Sequence, residues 1–161
     1  MIDITIRKET PEDYDQITQV NNLAFNQKIE GELIHNLRKR PEFLPEYSLV
    51  AEYNNKIIGH ILFFPVKIRS ENRSIQTLSL GPMAITPGFQ NKGIGGDLIR
   101  KGIELAYESG FASVIVLGHP KYYPKFGFKK ASKWKIKAPF DVPDEAMMAI
   151  EINQGSLNFG G

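Results

Sequence analysis

Four glycines fall within the ten residues of PGFQNKGIGG, positions 87–96, and the chain then runs on with helical periodicity. Glycine at a helix start costs up to about 1 kcal/mol relative to alanine, so local stability does not select it. The pattern can hold an anion. The first four N–H groups of a helix have no intrahelical partner, and the macrodipole makes that end positive. With no Cβ at Gly93, Gly95 and Gly96, a phosphate can approach several of those donors, and Lys92 adds positive charge at the rim. A tight strand-to-helix turn with no ligand is the other reading, and the turn alone leaves both open. Two familiar nucleotide motifs do not fit. The Walker pattern needs Ser or Thr after Gly-Lys, and a dinucleotide turn needs Gly or Ala where this chain has Leu98.

The elements around this turn follow from period and punctuation. Ile2, Ile4 and Ile6 alternate with polar residues as a first strand. Thr10 can cap a helix that begins at Pro11, with Asp13 as its capping-box partner. Tyr14, Ile17, Val20 and Ala24 keep helical spacing, and a second piece with Leu33, Ile34 and Leu37 ends before Pro41. SLVAEY and KIIGHILFFPV flank Asn54-Asn55 as a hairpin, and RSIQTLSLGPMAI is a further strand. Over 94–108, Ile94, Leu98, Ile99, Gly102, Ile103, Leu105 and Ala106 share one half of a helical wheel. Asp97, Arg100, Lys101, Glu104 and Glu108 take the other half, so one face packs on a sheet and Gly102 permits close approach. ASVIVLG, a short helical turn and a last strand near MMAIEI complete the chain. The sequence therefore predicts an α+β fold: a mostly antiparallel sheet, helices on both faces, and one βαβ crossover.

Composition narrows the chemistry. The 161 residues are 42% hydrophobic and 24% charged, as a globular domain requires, and one domain is expected. Cysteine is absent, which excludes disulfides, thiolate metal sites and a thiol-linked acyl-enzyme. MIDITIRKET has no apolar h-region, so no secretory leader is expected. The most apolar run, IIGHILFFPV, is half a membrane span and is broken by His60 and Pro65. The net charge of +2 hides a tract, residues 119–137, with seven lysines and no acid. Lysines interleaved with aromatics suit nucleic acid, but a solvated surface is the simpler reading, and no nucleic-acid partner is expected.

Gln90-Asn91-Lys92-Gly93-Ile94-Gly95 matches Q/R-x-x-G-x-G/A and resembles the acetyl-CoA signature of the GNAT superfamily of N-acetyltransferases. LGPMAITPGFQNKGIGGDLI resembles that family's fourth strand, pyrophosphate loop and following helix. VIVLGHPKYYPKFGF resembles its next strand and a Tyr-x-x-x-Gly-Phe segment, here Tyr123 to Phe128. With ITIRKETPEDYDQI, IIGHI and DVPDEAMMAIEI, the likeness runs over residues 1 to 152 and is similar to a bacterial subgroup of predicted acetyltransferases.

The resemblance implies a GNAT-type acyl-CoA N-acyltransferase fold, expected from the chain length as a single domain, 1–161. With no cysteine and no leader in view, a cytoplasmic location is expected. The resemblance also implies acetyl-CoA as cosubstrate, no metal, and direct transfer of acetyl to a primary amine. Gly81-Pro82, anomalous inside a strand, falls where the family's fourth strand bulges away from the fifth and admits pantetheine. Met83, Ala84 and Ile85 would then offer backbone to that arm, with an N–H near Met83 or Ala84 facing the thioester oxygen. Gln90, Asn91, Lys92, Gly93, Ile94, Gly95 and Gly96 would hold the pyrophosphate, mainly through amides. Tyr123 takes the position of the acid that protonates the departing thiolate, and its neighbour Tyr122 is expected to pack or to line the acceptor site. The base is unassigned among Glu32, His35, Ser79 and His119, or is replaced by water. An amine acceptor is the expected partner, with no membrane partner and a homodimer possible. A catalytically silent acyl-CoA sensor of the same fold is the alternative, and a small nucleic-acid-binding module stands third.

Overall fold

The computed structural model describes residues 3–70 and 73–158. Strand β1 is Thr5–Lys8; Ile2, first in the expected alternation, lies outside the described residues. Pro11 opens a 3-10 turn, and the Thr10 N–H donates to Asp13 Oδ2 at 2.8 Å. Asp13 also takes two hydrogen bonds from Arg7, at 2.7 and 3.0 Å. The Arg7 bond comes first among the causes that lower its carboxyl pKa to about 2. Helix α1 (Tyr14–Phe25) follows and stops at Asn26, whose φ of 52° is left-handed. Helix α2 spans Ile29–Leu37.

Asn54 and Asn55, with φ of 50° and 62°, form the turn between β2 (Ser48–Tyr53) and β3 (Lys56–Arg69). Two successive positive φ values give a hairpin turn whose twist matches the strands it joins. Strand β4 (Ser74–Ile85), helix α3 (Ile94–Glu108) and strand β5 (Ser113–Leu117) make the crossover, with β4 and β5 parallel over Leu78–Leu80 and Val114–Val116. Strands β6 (Lys129–Lys130) and β7 (Met147–Glu151) complete a seven-stranded sheet of order β1-β2-β3-β4-β5-β7-β6. The other described registers are antiparallel. This is the mixed, mostly antiparallel α+β fold expected from the sequence. Strand β6 has no counterpart in that expectation, because two lysines carry no strand signal.

Two compact units divide the chain: Met1–Phe64 with Gly81–Gly102, and Pro65–Leu80 with Ile103–Gly161. In the first, Ile17, Val20 and Ile34 pack on Val50, Ile57, Leu62 and Ala84. Neighbouring Ala51 points to the opposite face, where it and Leu98 of α3 flank Gly59. Gly102 is on that face too. A Cβ there would stand 2.0 Å from Phe63 Cε1, so the ring occupies the space that a side chain would need.

A buried polar chain crosses the same unit. Arg38, just past α2, donates two hydrogen bonds of 3.0 Å to the Glu9 carboxylate. Ser48 Oγ donates to Glu9 Oε1, and His60 Nε2 lies 2.8 Å from Ser48 Oγ. Since the serine proton goes to Glu9, its oxygen accepts from His60, which fixes the Nε2–H tautomer. His60 Nδ1 is buried with no partner among the described residues. Burial first, and the Arg38 charge second, push the His60 pKa down to about 3.

The second unit has its own core of Ile68, Ala131, Ile136, Ala149 and Leu157, with Trp134 packed against it. Thr77 and Ser113 join β4 to β5 by a buried hydroxyl pair at 2.7 Å. The seven lysines of residues 119–137 are exposed, in line with the solvated-surface reading. Among the described helices, none is long and apolar enough to cross a membrane.

Candidate active site

The glycine-rich turn is built from the end of β4 onward. Leu80 is the last β4 residue in register with β5, and the strand continues from Gly81 to Ile85 beyond it. Gly81 has φ of 133°, in the region that favours glycine, and the Gly81-Pro82 peptide is cis. Ala84 is buried against α1 and α2. The Ile85 side chain lies on the other face, with Cδ1 2.9 Å from the position of a Gly59 Cβ. Both side chains are thus committed to the core, which is compatible with a function carried by backbone alone.

After β4 the chain is held tightly. The Thr86 N–H donates to Ile58 O at 2.8 Å, and the Phe89 N–H to Thr86 O at 3.0 Å. Gln90 Nε2 donates to Ile85 O at 2.9 Å, so its side chain braces the turn. The Phe89 ring packs on Tyr53 with centroids 5.6 Å apart. Gly88, Asn91 and Gly93 are all left-handed, with φ of 96°, 61° and 85°. At Gly93 nothing lies within 4 Å of where a Cβ would be. Space is therefore not what selects glycine there; the backbone conformation is.

Helix α3 begins at once. Its first backbone bond runs from the Asp97 N–H to Gly93 O, at 3.1 Å. The amides from Gly93 to Gly96 precede that bond and, among the described residues, have no backbone partner, as expected of the first donors of a helix. Lys92 and Gly93 are exposed, while Ile94, Gly95 and Gly96 are buried. The arrangement sets a row of donors beside an exposed cation, at the positive end of a 15-residue helix.

Tyr123 belongs to the second unit. It begins a 3-10 turn, Tyr123–Phe126, that ends at Gly127 with φ of 100°. The ring is 9% exposed and meets Phe128 edge-on at 5.7 Å and Tyr122 at 5.1 Å. Gly118, just after β5, makes room for it: a Cβ there would lie 2.4 Å from Tyr123 Cε2. Burial first, then the neighbouring Tyr122 phenol, push the Tyr123 hydroxyl up to about 12, so it keeps its proton through the neutral range. Tyr122 is half-buried, with Lys125 Nζ over its ring at 4.5 Å, in keeping with a packing role.

His119 Nδ1 accepts the Lys121 N–H at 3.1 Å and thereby closes its own turn. Ser79 is half-buried in register with Ile115. Glu32 and His35 are exposed and line a groove between α1 and α2. Gly118, the residue that seats Tyr123, was missed in the sequence, where it reads only as the end of a strand.

A strand, a glycine-rich turn and the N-terminus of a crossover helix together form a site suited to an anion. The chain belongs to the GNAT acetyltransferases: the acetyltransferase (GNAT) domain model matches residues 5–131. It is 38% identical over 134 residues to the uncharacterized N-acetyltransferase YjhQ of Escherichia coli K12, covering 83% of this chain and 74% of that protein. A GNAT family acetyltransferase from Brucella melitensis, solved with acetyl-CoA, is 34% identical with a TM-score of 0.73, over 92% of this chain and 96% of that one. The structure of Escherichia coli YhbS in complex with CoA superposes with a TM-score of 0.90 at 25% identity, over 99% of this chain and 87% of its own.

Proposed function

We propose that this acetyltransferase is a single-domain, cytoplasmic N-acetyltransferase that moves acetyl from acetyl-CoA directly to a primary amine of a small molecule, peptide or protein. The observation that carries the reading is the row of amides at Gly93–Gly96 that have no backbone partner among the described residues, set behind a turn of left-handed residues. These amides and Lys92 suit the pyrophosphate, and Gln90 holds the turn closed on Ile85. The backbone of Met83, Ala84 and Ile85, beyond the β5 register, suits the pantetheine amides. An N–H of Met83 or Ala84 would stabilise the charge that develops on the thioester oxygen. The B. melitensis and YhbS structures, solved with acetyl-CoA and CoA, support the choice of cosubstrate.

The free amine attacks the acetyl carbonyl, the C–S bond breaks, and the attacking nitrogen releases its extra proton to water. CoA leaves as a thiolate that is protonated from solvent and is stabilised, as it forms, by a hydrogen bond. Tyr123 supplies it. With its hydroxyl near 12 and a thiol near 8.5, complete proton transfer is uphill, so the phenol acts chiefly as a hydrogen-bond donor to the developing thiolate. That places its contribution at the low end of general-acid effects, about 10²-fold in kcat.

The test is acetyl-CoA-dependent thiol release on a panel of primary amines, with wild type and Tyr123→Phe. Turnover with at least one amine is expected, and a kcat loss of about 10²-fold in the variant with little change in acetyl-CoA affinity. Saturable acetyl-CoA binding without turnover on any amine would favour the silent sensor. Equal kcat in the two proteins would remove Tyr123 from the mechanism.

A further inference from the structure

The chain passes from β5 to Tyr123 through residues 118–122, and His119 ties that passage together. Gly118 is anchored just ahead of it, its N–H donating to Ala146 O at 2.9 Å. The His119 carbonyl accepts the Tyr122 N–H at 3.1 Å and, more weakly at 3.5 Å, the Tyr123 N–H. Pro120 stands second in this turn, where its fixed φ suits the backbone. The side chain adds a further bond: Nδ1 accepts the Lys121 N–H at 3.1 Å. An acceptor that binds the amide two residues on is what Asn and Asp supply in turns; here an imidazole does it.

That bond limits what the ring can do. A backbone N–H only donates, so Nδ1 must keep its lone pair, and the neutral ring carries its proton on Nε2. The basic lone pair of the imidazole is therefore committed to the turn. Taking a proton from an attacking amine would break the turn that leads to Tyr123. The turn is exposed, so water can replace the imidazole at the Lys121 N–H, and what is lost is order rather than a buried partner. Order matters because the Tyr123 ring has a narrow seat. It fills the space that a Gly118 side chain would need and meets Phe128 edge-on at 5.7 Å. A misplacement of about 1 Å can cost about 10²-fold in rate.

We infer that His119 is a positioning residue, which seats Tyr123 by accepting the Lys121 N–H, and is not the general base. The inference rests on the reading of Tyr123 as donor to the departing thiolate, and two readouts keep the two apart. The first needs no acceptor amine: carbon-13 NMR of the full chain labelled at tyrosine Cζ, with Tyr123→Phe assigning the signal. Burial holds the Tyr123 hydroxyl up at about 12, and in His119→Ala its titration should fall toward the ordinary 10 as the ring loosens. His119→Asn restores an acceptor for the Lys121 N–H but not a base, and should titrate as wild type does. Alanine, asparagine and neutral imidazole carry no charge at such pH, so the shift reports burial rather than field. The second readout is kcat for acetyl transfer. A loss of about tenfold or more is expected in His119→Ala, and recovery to within about twofold of wild type in His119→Asn. In a Tyr123→Phe background, His119→Ala should cost little more. An Asn variant as impaired as the Ala variant in either readout overturns the inference. So does an Ala variant whose Tyr123 titrates as in wild type. The expected titrations with kcat equal in every variant would uphold the seating and remove Tyr123 from the transfer step.

Discussion

His60 allows a prediction whose sign is set by the burial around it. The ring is fully buried, its pKa falls from the ordinary 6.5 to about 3, and burial is the first cause. The Glu9 carboxylate, 4.0 Å from Nε2, pulls the other way. Arg38 holds that carboxylate through two hydrogen bonds, however, so the imidazolium would face a pair whose charge is already balanced. The folded state therefore refuses a proton that the unfolded chain accepts from pH 6.5 downward. Stability is complete above 6.5 and declines as the pH falls toward 3. At pH 5 the unfolded histidine lies 1.5 units below its pKa, which amounts to about 2 kcal/mol of lost stability. The perturbation is His60→Gln, whose Nε2 can still donate to Ser48 Oγ but cannot titrate. Urea unfolding of both proteins at pH 7.5 and 5.0 separates the fixed cost of the substitution from its pH dependence. Wild type should lose about 2 kcal/mol more than the variant between the two conditions. Equal losses would refute the argument. A wild type that gains on acidification would show that Glu9, not burial, governs the ring.

Gly118→Ala places a methyl 2.4 Å from Tyr123 Cε2, so the ring must move. Its kcat should fall at least tenfold toward that of Tyr123→Phe, with the KM for acetyl-CoA roughly unchanged, and the double variant should be no worse than Tyr123→Phe alone. An unchanged kcat would separate the ring's position from catalysis. Gly102→Ala gains up to about 1 kcal/mol of helix propensity but meets Phe63 Cε1 at 2.0 Å, and overpacking costs about 1–3 kcal/mol. Net destabilisation is expected by urea unfolding, with Phe63→Leu recovering part of it in the double variant; additive losses would deny the contact.

Local and periodic features were legible in the sequence. Asn54-Asn55 tolerates left-handed backbone and sits between two apolar runs, so the hairpin could be read from a few residues. The wheel of α3 and the need for glycine at 102 follow from a period of 3.6. The glycine turn was visible as a pattern, but its working parts are torsions and hydrogen bonds, Gln90 to Ile85 and Asp97 to Gly93 among them, which no composition displays. The Glu9–Arg38–Ser48–His60 chain could not be read. Its hydrogen-bonded pairs are separated by up to 39 residues, as Glu9 and Ser48 are, and His60 registers in the sequence only as an interruption of an apolar run. The seating of Tyr123 on Gly118 was equally hidden, since that glycine looks like any strand terminus.

Strand β6 is two residues long, both lysine, and stands at the edge of the sheet. A net charge of +2 provides little repulsion between whole molecules at high concentration. Resistance to edge-to-edge stacking at this border must then be local, supplied by a strand too short to template a neighbour and by ammonium groups that would be desolvated if one docked. Colloidal behaviour here is consequently a property of two side chains rather than of the protein's total charge. Apolar replacements at Lys129 and Lys130 would therefore open a route to ordered polymer.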